Sequence, residues 1–117
     1  MKKYYNKLVR DKIPELIAAE GKKVVFESIK NEEQFKVLLE EKLLEEVEEL
    51  KTACLTYDSE SIASEIADIE EILQEISDLY NIRYYDFIEI FSNKRLMAGR
   101  FAKRIFLESV EEGEEDD

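Results

Sequence analysis

Two stretches of helical period, from Asn31 to about Leu55 and from Ser59 to Tyr80, place carboxylates inside their own apolar stripes. With each residue advanced by about 100° around a helical wheel, the first stripe holds Phe35, Leu39, Leu43, Val47, Leu50 and Cys54, and Glu46 falls within that arc. Glu49 sits one step away, between Leu38 and Lys42, whereas Glu41 and Glu48 point to the opposite face and read as solvated. The second stripe holds Ile62, Ile66, Ile69, Ile72, Leu73, Ile76 and Leu79. Glu65 lies in the middle of it and Asp68 at its edge, while Glu70, Glu71 and Asp78 face elsewhere.

Helices joined by a short loop pack antiparallel. Counted back from that loop, Glu46 and Glu49 stand about as far out as Glu65 and Asp68, so the two pairs face each other at similar height. Four unpaired carboxylates cannot share an apolar crevice, because each buried ion costs several kcal/mol unless compensated. Either their pKa values rise and they protonate, or a cation sits between them. An all-oxygen donor set suits Mg²⁺ or Mn²⁺. The competing arrangement is an ordinary buried ion pair of Glu65 with Lys42 or Lys51.

The rest of the chain supports an all-α reading. It has 117 residues, with only one Pro and three Gly, and a β-sandwich would need many more turns. Pro14 opens a short helix that ends at Gly21. Residues 23–29, KVVFESI, are β-branched and aromatic and read as a short extended segment or edge strand. Asn31 with Gln34, and Asp86 with Glu89, read as capping boxes, so a third main helix runs from Asp86 to about Ala98, before Gly99. The expected fold is a helical bundle of two long antiparallel acidic helices and a third helix, spanning 1–110. Residues 111–117, EEGEEDD, read as a disordered acidic tail.

Several functions are excluded by what is missing. There is no His, so neither a Glu-x-x-His di-iron site nor a histidine zinc site can be built. The GxxxxGK[ST] phosphate loop is absent, as are Ser/His and Cys/His nucleophile pairs. No run of 18 apolar residues is present to span a membrane. The opening MKKYYNKLVRDKIPE lacks the apolar region of a secretory signal. With a single cysteine, Cys54, read as a small core residue, the expectation is a cytoplasmic protein. The formal charge of −12 is uneven: residues 1–30 carry eight Lys/Arg against four Asp/Glu, 31–80 three against sixteen, and 81–110 six against three. An acidic centre flanked by basic ends is poor for a nucleic-acid duplex. It suits a cation held centrally, with an anionic small molecule reaching outward to Lys and Arg.

The motif Glu45-Glu46-Val47-Glu48-Glu49, followed after fifteen intervening residues by Glu65-Ile66-Ala67-Asp68, resembles the EExxE…ExxD pattern of the all-α nucleoside triphosphate pyrophosphohydrolases. This is the MazG-like superfamily, which includes phosphoribosyl-ATP pyrophosphohydrolase. YNKLVRDKIPELI at 5–17, KLLEEVEEL, EIADIEEIL and AGRFAKRIFL up to Leu107 extend the resemblance over nearly the whole chain. It implies Glu46, Glu49, Glu65 and Asp68 as ligands of Mg²⁺, with Mn²⁺ able to replace it. It also implies Glu49 or Glu45 as the base that takes a proton from water, Glu45 otherwise orienting that water. The reaction implied is cleavage between the α and β phosphates of a nucleoside triphosphate, giving the monophosphate and pyrophosphate, with house-cleaning of non-canonical nucleotides as the role the resemblance suggests. Lys7, Arg10, Lys12, Lys94, Arg100, Lys103 and Arg104 are the candidate phosphate-binding residues, and Tyr4, Tyr5 and Phe101 the candidate base-stacking ones. Where the family often has two glycines before a Phe, this chain has Gly99-Arg100-Phe101. A homodimer or a tetramer of dimers is expected. The alternatives are a phosphoribosyl-ATP type of activity and a non-catalytic helical interaction protein.

Overall fold

Pro14 stands in the first turn of the first helix, where its missing N–H costs nothing. A computed structural model of the chain describes residues 1–113. Four helices follow in order: α1 Ile13–Ala19, α2 Glu32–Thr56, α3 Ser59–Leu79 and α4 Tyr84–Ala98. The chain divides into two compact units, Met1–Asn81 and a second beginning at Ile82. Of the acidic tail expected over 111–117, the last four residues lie outside the described ones.

In the first unit α1 ends as the sequence requires. Gly21 follows with φ +83° and its N–H bonds Ala18 O at 3.0 Å. The capping residues then set the long hairpin. Asn31 Oδ1 accepts from Gln34 N at 2.9 Å and starts α2. Tyr57, in the left-handed region at φ +57°, ends it. Thr56 Oγ1 donates back to Ala53 O at 2.7 Å and accepts from Asp58 N at 3.1 Å, which stiffens the turn. Asp58 caps α3, accepting from Ser61 Oγ at 2.6 Å and Glu60 N at 3.4 Å. With only Tyr57 and Asp58 between them, α2 and α3 fold back on each other, and their long contact carries the packing of this unit.

That packing is thin. Leu39 and Ile72 are buried; Phe35, Leu43, Leu50, Ile62, Ile69, Ile76 and Leu79 are half-buried around them. Burying Leu39 and Ile72 contributes about 1.5–3 kcal/mol each. Three members of the expected stripes, Val47, Ile66 and Leu73, stay exposed, because one neighbouring helix covers only part of an arc that wide. Cys54 is also exposed, which corrects its reading as a core residue: Ala53, one step round the helix, takes the half-buried place. The edge strand expected over 23–29 does not form. No strand occurs among the described residues, so Val25 and Phe26 have nothing to pair with and lie exposed.

In the second unit α4 begins two residues earlier than its expected cap. Arg83 is the N-cap, and Asp86 lies inside the first turn, where its carboxylate accepts from Arg83 Nε at 2.8 Å and Nη2 at 3.3 Å. An acidic group there also favours the positive end of the helix dipole. Tyr84, Phe87 and Phe91 stack along one side of α4, and the Arg95 guanidinium lies 4.3 Å from the Phe91 ring centre. Gly99, at φ +83°, closes the helix with its N–H on Arg95 O at 2.8 Å.

Candidate metal centre

Glu46 is the most buried charged residue described, with a relative exposure of 6%. It occupies the middle of the α2 stripe, as its position on the wheel requires. Across the hairpin Glu65 and Asp68 come from successive turns of α3, both half-buried. One carboxylate oxygen from each of Glu46, Glu65 and Asp68 lies within 4.8 Å of the others. A second group, Glu45, Glu46 and Glu49, meets the same limit along α2 and shares Glu46 with the first. Glu46, Glu65 and Asp68, three of the four carboxylates expected to face one another, therefore come together, and Glu49 joins them only through Glu46.

Three cations answer part of this charge. Lys42 Nζ lies 3.2 Å from Glu46 Oε1 and 3.3 Å from Glu45 Oε2. Lys7 Nζ takes the other oxygen of Glu45 at 3.1 Å, and Arg10 Nη2 takes Asp68 Oδ1 at 2.7 Å. The basic segment 1–12 is thus tied to both helices, by Lys7 to α2 and by Arg10 to α3. The ordinary ion pair weighed for Glu65 is not the one that forms, since Lys42 goes to Glu46 and Glu45, and Lys51 to Glu48.

What remains uncompensated is specific. Glu46 Oε2 and Glu65 Oε2 are both buried and have no hydrogen-bond partner. Two facing carboxylate oxygens without a donor need either a proton or a cation between them. In the absence of a cation the carboxyl of Glu46 beside it, and then burial, push the Glu65 carboxyl up to about 7. Glu49 is raised for the same two reasons, again with Glu46 as the first. Glu45 moves the other way: the Lys7 ammonium holds it below the usual carboxylate range, with Lys42 adding to the effect. Lys42 is pulled down by burial, but its bonds to Glu46 and Glu45 outweigh that and leave it raised. Arg10 is raised by its bond to Asp68.

The residues present fit a divalent cation. Glu46, Glu65 and Asp68 each bring a carboxylate oxygen to within 4.8 Å of the others, two of the three side chains carry a buried oxygen without a partner, and all the donors are hard oxygens, the set preferred by Mg²⁺ and Mn²⁺. Glu45 fits less well as a ligand, because lysines hold both of its oxygens.

Two hollows adjoin the cluster. A groove between α2 and α3, about 460 Å³, is lined by Glu48, Glu49, Thr52 and Glu65. On the other side the 1–12 segment arches over α2 and encloses about 310 Å³ between Tyr5, Asn6 and Leu8 and the α2 residues Leu38, Glu41 and Lys42. Glu41 is exposed, as the wheel has it, and also borders this hollow; no periodic signal in 1–12 could have announced the covering segment. Of the candidate phosphate-binding residues, Lys7 and Arg10 stand at the cluster and Lys12 is the N-cap of α1. Lys94 lies on α4 and Arg100, Lys103 and Arg104 follow it, all exposed, in the second unit with Phe101. None of the described helices is long and apolar enough to cross a membrane. No family model, no curated protein and no solved structure matches the chain.

Proposed function

We propose that the chain is a divalent-cation-dependent nucleotide pyrophosphohydrolase of the MazG-like kind, hydrolysing a nucleoside triphosphate between its α and β phosphates. The observation that carries this reading is the pair of buried, unpartnered oxygens, Glu46 Oε2 and Glu65 Oε2, gathered with Asp68 on facing helices. Glu46, Glu65 and Asp68 would hold Mg²⁺ or Mn²⁺, with Glu49 at the rim. When bound, such an ion supplies positive charge to phosphate oxygens and acidity to water.

The chain's own residues do the rest. Glu49 is exposed at the edge of the cluster and the neighbouring Glu46 raises its carboxyl above the ordinary value, which makes it a better proton acceptor than an ordinary glutamate. It takes the proton of the attacking water; the water oxygen bonds to the α phosphorus as the bond from that phosphorus to the α–β bridging oxygen breaks, and the bridging oxygen departs on pyrophosphate. Glu45, clamped by two lysines, positions Lys7 and Lys42 rather than accepting a proton. Arg10 spends one donor on Asp68 and is otherwise exposed, leaving guanidinium N–H groups for a phosphate. A second copy of the chain covers the exposed apolar residues Leu44, Val47, Ile66 and Leu73 of the hairpin, making a homodimer.

One observation favours a different reading. Lys7, Arg10 and Lys42 already compensate part of the acidic charge, as they would in a non-catalytic helical protein. Pyrophosphate release from a panel of ribo- and deoxyribonucleoside triphosphates, with and without Mg²⁺, separates the two. Mg²⁺-dependent release that Glu65→Gln abolishes supports the hydrolase. Absence of release from every triphosphate and from phosphoribosyl-ATP, with thermal stability indifferent to Mg²⁺, leaves the interaction protein.

A further inference from the structure

The cavity under the 1–12 segment has the chemistry of a base-binding subsite. Its volume, about 310 Å³, lies at the small end of ligand pockets. That leaves room for one nucleoside-sized group and not for a whole triphosphate. One wall is shared with the acid cluster: Glu45 and Lys42 line the cavity, and Lys42 also lies 3.2 Å from Glu46 Oε1. A nucleotide with its phosphates at the cluster therefore has this cavity within reach of its other end.

The lining divides into stacking and reading groups. Tyr5 brings an aromatic ring, over which the Lys3 and Lys7 ammonium groups stand at 5.0 and 5.8 Å from its centre and which a base would meet edge-on or by displacing one of them. Leu8 and Leu38 supply apolar surface. Asn6 brings an amide that both donates and accepts, and Glu41 a carboxylate that only accepts. Neither of these two side chains has a hydrogen-bond partner among the described residues. Asn6 holds its backbone at φ +46°, in the left-handed region, which asparagine tolerates better than most residues.

We propose that this cavity binds the nucleobase, and that Glu41 with Asn6 selects bases carrying an exocyclic amino group over their keto counterparts. An amino group donates to the Glu41 carboxylate. A carbonyl at the same place sets acceptor against acceptor and forgoes that bond. The subsite rests on the nucleotide reading above, but its test does not depend on turnover.

The test is binding by calorimetry of two matched pairs, CMP against UMP and AMP against IMP, each differing by amino versus keto, to wild type, Glu41→Gln and Asn6→Gly in Mg²⁺. Glu41 is exposed and glycine accepts the φ of residue 6, and circular dichroism verifies that both variants fold. The expected result is that wild type prefers the amino member of each pair by about tenfold, within the range of a good base-edge contact. Glu41→Gln, whose amide can donate as well as accept, abolishes the preference, and Asn6→Gly weakens all four nucleotides. Inorganic tripolyphosphate, which has no base, binds all three proteins alike. Equal binding of CMP and UMP by wild type, no binding of any of the four, unchanged selectivity in Glu41→Gln, or a parallel loss of tripolyphosphate binding overturns the subsite. Pyrophosphate release that ignores both substitutions also overturns it, while leaving the hydrolase standing. An amino preference without any pyrophosphate release keeps the subsite and removes the hydrolase.

Discussion

Lys42 Nζ lies 3.2 Å from Glu46 Oε1, while Glu46 Oε2, equally shut away from water, has no partner at all. One carboxylate is thus half neutralised by its own helix and half left for something else. Removing the lysine and removing the carboxylate should therefore have opposite consequences. Lys42→Met leaves a buried charge exposed to its acidic neighbours and should destabilise the metal-free protein by on the order of 3 kcal/mol. It also removes a competing positive charge, so its thermal shift on adding Mg²⁺ should exceed that of wild type. Glu46→Gln supplies an amide donor to Glu65, should be tolerated without metal, and should lose the Mg²⁺ response. Calorimetric melting of both variants at several Mg²⁺ concentrations checks these signs.

The Glu65 carboxyl, pushed up to about 7 by Glu46 and burial, gives the metal-free protein a pH dependence of known sign. A carboxyl raised above its unfolded value binds its proton more tightly when folded. Its contribution to stability is complete below about 4.5 and is lost as pH climbs through about 7. Glu49 adds in the same direction, whereas Glu45, held low by Lys7, contributes stability that is lost as pH falls. The difference in Tm between wild type and Glu65→Gln isolates the first effect. In chelator the wild type should lose ground to the variant between pH 4.5 and 7, and saturating Mg²⁺ should remove that loss.

The turn at Tyr57 and Asp58 sets the register of α2 against α3, and hence the meeting of Glu46 with Glu65 and Asp68. Asp58→Ala removes acceptors for Glu60 N and Ser61 Oγ and should cost about 1 kcal/mol. Urea denaturation measures this directly. The Mg²⁺ response should survive, since the cap touches none of the carboxylates of the cluster.

Among the described residues Leu39 and Ile72 are the only buried apolar ones, a small core for a monomer. Sedimentation equilibrium should find at least a dimer, and Leu44→Glu combined with Leu73→Glu, both at exposed apolar positions of the hairpin, should shift it towards monomer with a lower Tm.

Much of the site was legible because it follows helical period. Glu46 falls inside an apolar arc whatever surrounds it, and Glu65 and Asp68 follow from the same rule on the next helix. Their opposition then needs only a short loop, and Tyr57 and Asp58 alone stand between the two helices. What escaped has a common cause: partners from segments without periodicity. Nothing in residues 1–12 announces that Lys7 and Arg10 reach Glu45 and Asp68, or that this segment roofs Glu41. The strand expected over 23–29 failed for a related reason, since β-branched residues favour an extended backbone but cannot supply the neighbour that a strand requires. Cys54 shows the resolution of the wheel itself: near the end of a helix with one neighbour, adjacent positions such as Ala53 and Cys54 are easily exchanged.

The most direct measurement is a titration of the protein with Mn²⁺, followed by electron paramagnetic resonance of the free ion. Wild type should remove Mn²⁺ from solution saturably, and Mg²⁺ should displace it. Glu65→Gln should bind far more weakly, while Glu40→Gln, at an exposed position of the same acidic helix that lines neither hollow, should bind as wild type does. Equal binding by Glu65→Gln and wild type, or no saturable binding by any of them, would contradict a metal centre at Glu46, Glu65 and Asp68.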